Sequence, residues 1–204
     1  TNALNKIFLM LHREIIRYDG TEDNYVEKLK YALLSKKERA RFPDDVEFKA
    51  AFEERPVYLM NSKNKIYILE RFENFGTSED KDVYRHCDDG TYSIEHIMPQ
   101  HLTPVWQKEL GDDYEQIHEL WLHRMANLTL TAYNSKYSNS SFTEKKTMQN
   151  GFDDSGIRMN TWIAKKDKWT LAELEERSEY LMGRALSIWA APVTEYKPEE
   201  KQLD

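Results

Sequence analysis

The fold is decided by residues 92–100, which read Tyr92-Ser93-Ile94-Glu95-His96-Ile97-Met98-Pro99-Gln100. This run is short, rich in apolar residues and ended by a proline, which has no N–H to donate to a sheet. Its length is typical of a strand of about four to six residues. A second β-prone run, residues 127–131, alternates leucine with threonine after Asn127. We therefore expect strands over residues 93–97 and 127–131 that pair as an antiparallel hairpin.

Apolar residues three to four positions apart predict amphipathic helices on both sides of this hairpin. The predicted helices cover residues 4–18, 22–35, 46–53, 63–75, 112–124 and 170–189. A further helix is expected over residues 142–149, whereas residues 76–91 and 133–141 are polar and are predicted as loops. The sequence thus predicts a mainly α fold with a small hairpin-plus-helix unit inserted among several helices.

Composition narrows the class of protein. The formal net charge of -7 argues against a protein that coats DNA, although an enzyme needs only a local basic patch. Cys87 is the single cysteine, so an internal disulfide and a Cys-x-x-Cys zinc site are excluded, and a reducing compartment fits. No apolar run approaches the roughly 20 residues that span a membrane, and no signal-peptide layout is present. We therefore expect a cytoplasmic protein without a membrane partner.

Three segments are expected along the 204 residues. Residues 1–41 are predicted as an N-terminal helical segment that links to an upstream domain. Residues 42–191 are predicted as the main domain, a size typical of a single core. Residues 192–204 are charged, contain two prolines and are predicted as a polar tail.

The segment Glu95-His96-Ile97-Met98-Pro99 resembles the first strand of the HNH nuclease motif, also called the ββα-metal or His-Me finger. Asn127 resembles the asparagine of its second strand, and Asn134 stands where the motif places a His or Asn metal ligand. Longer stretches resemble the C-terminal nuclease domain of GmrSD-type restriction enzymes over roughly residues 42–190. These stretches are His123-Arg-Met-Ala-Asn-Leu-Thr-Leu-Thr131, Tyr133-Asn-Ser-Lys-Tyr-Ser-Asn139 and Phe142-x-x-Lys145.

The resemblance implies a metal-dependent DNA endonuclease that hydrolyses phosphodiester bonds. It also implies the nuclease part of a bacterial anti-phage restriction system that acts on modified double-stranded DNA. A ParB-like domain of the same protein is expected upstream. The alternative is a catalytically weak HNH-like domain that binds DNA or docks a subunit; metal-dependent nicking of plasmid DNA separates the two.

The resemblance also implies a role for each site residue. His96 is the expected general base, since a neutral imidazole can take a proton from water near neutral pH. Glu95 and Asn134 are the expected metal ligands, and their oxygen donors favour Mg²⁺ or Mn²⁺ over zinc. Asn127 is expected to serve catalysis by orienting the His96 ring or by bracing the adjacent loop.

Neighbouring residues are expected to support this site. Residues 123–146 hold four basic residues against one acidic residue, and Lys145, Lys136 and Arg124 are predicted to bind DNA phosphates. Lys145 has the alternative of a solvated surface charge. Asn139 could replace Asn134 as a metal ligand, or it could cap the next helix. His123 is expected to hydrogen-bond beside the strand, with direct catalysis as the alternative, and His101 to lie at the surface.

Overall fold

The computed structural model describes the backbone of residues 2–198 and, in that range, all side chains except those of residues 2–4, 39, 134 and 135. The chain divides into two compact units, one formed by the residues before 49 and after 189, the other by residues 49–189. Within residues 2–198, no helix has the length and apolar character that crossing a bilayer requires. The segment boundaries at residues 41 and 191 stay predictions.

The first unit is built on two helices, α1 (Asn2–Asp19) and α2 (Tyr25–Leu34). They share a small buried core of Leu11, Ile15 and Ala32. Gly20 follows α1 with a φ of +80°, a conformation that glycine adopts without strain and that commonly ends a helix. Both helices agree with those predicted over residues 4–18 and 22–35. A 3-10 helix at Glu38–Ala40 and α3 (Asp45–Glu54) follow along the chain.

The second unit carries a two-stranded sheet among short helices. Before the first strand come a 3-10 helix (Val57–Leu59), α4 (Ser62–Asn74) and α5 (Val83–Asp88). The strands are β1 (Ser93–His96) and β2 (Leu128–Thr131), separated by α6 (Pro104–Leu110), α7 (Tyr114–Trp121) and a 3-10 helix (Met125–Asn127). After β2 come α8 (Asn134–Tyr137), α9 (Phe142–Thr147), α10 (Asn160–Ile163) and α11 (Leu171–Ile188).

The two strands pair antiparallel, with Ser93 opposite Thr131 and His96 opposite Leu128. All four residues of β2 are buried, so the sheet lies inside the unit rather than on its surface. The helix expected after the hairpin is present as α9. The predicted strands, their pairing and the mainly helical surroundings are therefore confirmed.

A large hydrophobic core packs the helices of this unit together. Its buried members are Ile97, Met98, Trp106, Leu110, Ile117, Trp121, Ala126, Tyr137, Phe142, Phe152, Ile163, Trp169 and Leu174. Buried aromatic side chains contribute the most apolar area per residue, so Trp106 and Trp169, both fully buried, anchor it. Both tryptophans serve packing here.

Two segments predicted as loops contain short helices. α5 lies within residues 76–91, where the Asp82 side chain accepts a hydrogen bond from the Arg85 N–H and Val83 is buried. α8 lies within residues 133–141. Helices of four to six residues are too short to show a hydrophobic period, and tertiary contacts stabilise them instead. The loop prediction was wrong for these residues.

Candidate functional site

The candidate site lies where β1 ends. Side chains of consecutive strand residues point to opposite faces, yet Glu95 and His96 line one cavity of about 220 Å³. The chain bends at residues 97 and 98, directly after the strand. The other lining residues are Tyr58, Ile94, Pro99, Gln100, His101, Ser138 and Asn139.

Lys145 lies inside the protein, next to this bend. Its side chain is fully buried, and its ammonium donates to Glu95 Oε1 at 2.6 Å, to the His96 carbonyl at 2.9 Å and to the Ile97 carbonyl at 3.1 Å. The prediction that Lys145 binds a DNA phosphate was wrong, because α9 turns this residue towards the hairpin. Lys145 instead ties α9 to the bend at the end of β1.

Burial dominates the protonation of this ion pair. It raises the pKa of the Glu95 carboxyl to about 7, although the Lys145 ammonium acts in the opposite direction. Burial likewise lowers the pKa of Lys145, against the effect of Glu95. Burial destabilises the charged form of both groups. A further positive charge in the cavity would therefore stabilise the Glu95 carboxylate.

His96 is paired with a second histidine. His96 Nε2 lies 3.2 Å from His123 Nδ1, with the two rings nearly perpendicular. Burial lowers the pKa of His96 to about 3, helped by the nearby His123 and Lys145 charges. Burial also lowers the pKa of His123. His96 is therefore neutral at pH 7, the state in which an imidazole can accept a proton.

Tyr58 completes the surroundings of this pair and is absent from the sequence-based prediction. Its ring meets His96 edge-on at 4.3 Å between centroids and stacks on His123 at 5.4 Å. The Tyr58 N–H donates to the His123 carbonyl, and the Lys65 ammonium lies 4.5 Å from the Tyr58 ring centre. No sequence signal near Tyr58 indicates a role in the site, because this residue lies in a short 3-10 helix that is far from the hairpin along the sequence.

Asn127 braces the backbone after β1. Its side chain is fully buried, and its Nδ2 donates to the carbonyls of Met98 and Leu122 at 2.9 and 3.1 Å. Its Oδ1 accepts from the Met98 N–H at 2.8 Å and from Trp169 Nε1 at 3.3 Å. Of the two expected roles, these bonds correspond to bracing the loop, so Asn127 acts through the backbone rather than on the His96 ring.

Asn139, the alternative to Asn134 as a metal ligand, lines the cavity. The cap of α9 is Ser141, which forms a capping box with Glu144, so Asn139 is not needed as the cap. Ser138, beside it, has a φ of +41°, which few non-glycine residues adopt and which is common at functional sites. The side chain of Asn134 lies outside the described residues, and its predicted ligand role stays a prediction.

The oxygen donors at this cavity are of the types that a divalent ion binds. The described side chains include no group of three or more His, Cys, Asp or Glu that could hold a metal. A Glu carboxylate and an Asn amide facing one cavity nevertheless suit Mg²⁺, which is commonly bound by one or two protein oxygens together with waters and a phosphate. Glu95 and Asn139 are the residues that would hold it.

The remaining predicted residues lie around this cavity or outside it. Lys136 is exposed, with its ammonium 5.5 Å from the Tyr133 ring centre. Arg124 is half-buried over Trp121 and, with His123, lines a separate cavity of about 510 Å³. His101 is exposed, as expected, and lines the site cavity.

A protein-family model matches the larger part of the chain. The family model described as GmrSD restriction endonucleases, C-terminal domain, matches residues 42–184, which include both strands and every residue of the cavity. No curated protein matches the chain.

Proposed function

The chain belongs to the family of GmrSD restriction endonuclease C-terminal domains, and we propose that it is a metal-dependent DNA endonuclease of the HNH type. One observation carries the proposal: Glu95, His96 and Asn139 line the same cavity at the end of an antiparallel hairpin, with α9 tied to that hairpin by Lys145. In this proposal β1, β2 and α9 serve as the two strands and the helix of the motif.

In the proposed reaction His96 accepts a proton from the attacking water. It is neutral at pH 7, and it lines the cavity that the water must enter. A positioned general base contributes roughly 10²–10⁴-fold in rate. Asn127 holds the Met98 backbone, in the bend that follows His96.

Glu95 and Asn139 would hold the divalent ion. Bound Mg²⁺ or Mn²⁺ supplies a positive charge that polarises the phosphate and helps the leaving oxygen. Lys145 keeps the Glu95 carboxylate in one position through Oε1, so little side-chain freedom remains to be lost on binding.

The proposed substrate is double-stranded DNA, including DNA with modified bases, in a cytoplasmic restriction system that acts against phage. The family name supports restriction, and the sequence resemblance supports the modified substrate and an upstream ParB-like domain. The local excess of basic residues at 123–146 includes the exposed Lys136, which is proposed to contact phosphate.

A domain that binds DNA without cutting it is the second candidate. The Lys145–Glu95 ion pair favours it, because the ammonium already neutralises the carboxylate and competes with an added cation. Binding of Mn²⁺, measured by electron paramagnetic resonance, separates the candidates without reference to activity. The nuclease predicts binding that weakens in Glu95→Gln and Asn139→Ala, and the binding domain predicts none.

Nicking of supercoiled plasmid in Mg²⁺ or Mn²⁺ tests the nuclease directly. The wild type is expected to nick, and His96→Ala to be slower by about 10²–10⁴-fold while remaining folded. The matched control is His12→Ala, which changes an exposed histidine in the other unit and should leave the rate unchanged. Equal rates for His96→Ala and wild type would overturn the assignment of His96 as the base.

A further inference from the structure

The contact between His96 and His123 can be made in only two ways. Each neutral imidazole carries one proton, and a single proton lies between His96 Nε2 and His123 Nδ1, 3.2 Å apart. Either His96 donates and keeps a lone pair on Nδ1, or His123 donates and the proton of His96 lies on Nδ1. The two arrangements have opposite consequences for His96.

Only the first arrangement leaves His96 able to accept a proton. If His123 donates, both nitrogens of His96 are occupied, one by its own proton and the other by the hydrogen bond. If His96 donates, Nδ1 is free to accept, and no side chain that the structure describes hydrogen-bonds to it. We propose that His123 is a positioning residue that accepts from His96 Nε2 and so fixes the tautomer in which His96 Nδ1 faces the reacting water.

The surroundings of His123 are built to hold this contact. Its carbonyl accepts from the Tyr58 N–H at 3.1 Å, and its ring stacks on Tyr58 with only 10° between the planes. Tyr58 also meets the His96 ring at 66°, so one tyrosine fixes the angle between the two imidazoles. If His123 served packing alone, its Nδ1 would not need to point at His96 Nε2.

This role rests on the proposed nuclease function, but its test does not need cleavage. The protonated and bare nitrogens of a neutral imidazole have well-separated ¹⁵N frequencies, so the tautomer of His96 can be read from a ¹⁵N-labelled protein near pH 7, without metal. The His96 signals are assigned by their loss in His96→Gln. The wild type is expected to carry the His96 proton on Nε2.

Two replacements of His123 separate the hydrogen bond from the ring. His123→Phe keeps a ring to stack on Tyr58 and removes the acceptor. His123→Asn keeps an acceptor, because Asn Oδ1 is bonded to Cγ as Nδ1 is in histidine. We expect His123→Phe to give a mixture of His96 tautomers and His123→Asn to restore the Nε2–H form. The control His12→Phe makes the same change at an exposed histidine and should leave His96 unaltered.

The kinetic expectation follows from the tautomer. Partners that orient an active-site histidine are worth roughly 10–100-fold, and in one protease family the tautomer alone is worth about 10⁴-fold. We expect His123→Phe to lower kcat by at least about 10-fold with little change in KM, and His123→Asn to recover most of the loss.

A wild-type spectrum with the proton on Nδ1 overturns the role of His123, and it does so even if no variant folds. An unchanged His96 tautomer in His123→Phe overturns it as well. A wild type that shows the Nε2–H tautomer but never nicks DNA overturns the nuclease function instead, so the two failures are distinguishable.

Discussion

Replacing Asn127 with alanine should destabilise the protein strongly, although the side chain never meets the cavity. The change removes four buried hydrogen bonds: one donated to and one accepted from Met98, one donated to Leu122 and one accepted from Trp169. A buried hydrogen bond contributes about 1 kcal/mol net. Four of them give a loss of about 4 kcal/mol in the free energy of unfolding, a large share of the stability of a typical domain.

Urea unfolding followed by tryptophan fluorescence measures this loss by linear extrapolation. Asn139→Ala is the matched control, because it removes the same amide from an exposed position at the cavity. The control should leave the free energy of unfolding nearly unchanged and weaken Mn²⁺ binding. The reasoning is refuted if Asn127→Ala costs less than about 1 kcal/mol, or if both variants lose the same amount.

Three further changes give expected outcomes. Lys145→Met should lower the free energy of unfolding by about 3 kcal/mol, because it removes the buried ammonium that bonds Glu95 and two backbone carbonyls. Lys146→Met removes only partly exposed contacts, to Asp167 and to the Lys166 carbonyl, and should cost far less in the same urea assay. Between pH 6.5 and about 3 the unfolded chain protonates His96 while the folded chain does not. The contribution of His96 to the free energy of unfolding should therefore fall with falling pH, by up to about 1.4 kcal/mol per unit. Because Glu95 titrates in the opposite sense, this contribution is read as the difference in pH slope between the wild type and His96→Ala, and the two slopes should agree above pH 6.5. Lys136→Ala should reduce the salt dependence of DNA binding by about one unit of slope, and an unchanged slope would remove Lys136 from the phosphate contacts.

The sequence determined the hairpin and the residues at its end. A proline after a short apolar run and an alternating run starting at Asn127 specify two strands, since both signals are local. The two runs pair antiparallel in the structure, and all four residues of β2 are buried. Glu95 and His96 were identified through the resemblance of residues 95–99 to the first strand of the HNH motif, which is also a local signal.

Tertiary structure alone decided which polar groups meet. The sequence places Lys145 at the surface, because α9 has only six residues. A helix of that length is too short for a hydrophobic period to indicate which of its faces is buried. Tyr58 and His123 reach His96 from distant parts of the chain, and packing around the core brings their rings together. Contacts between remote residues depend on how helices pack, and that information is not present in any local stretch of sequence.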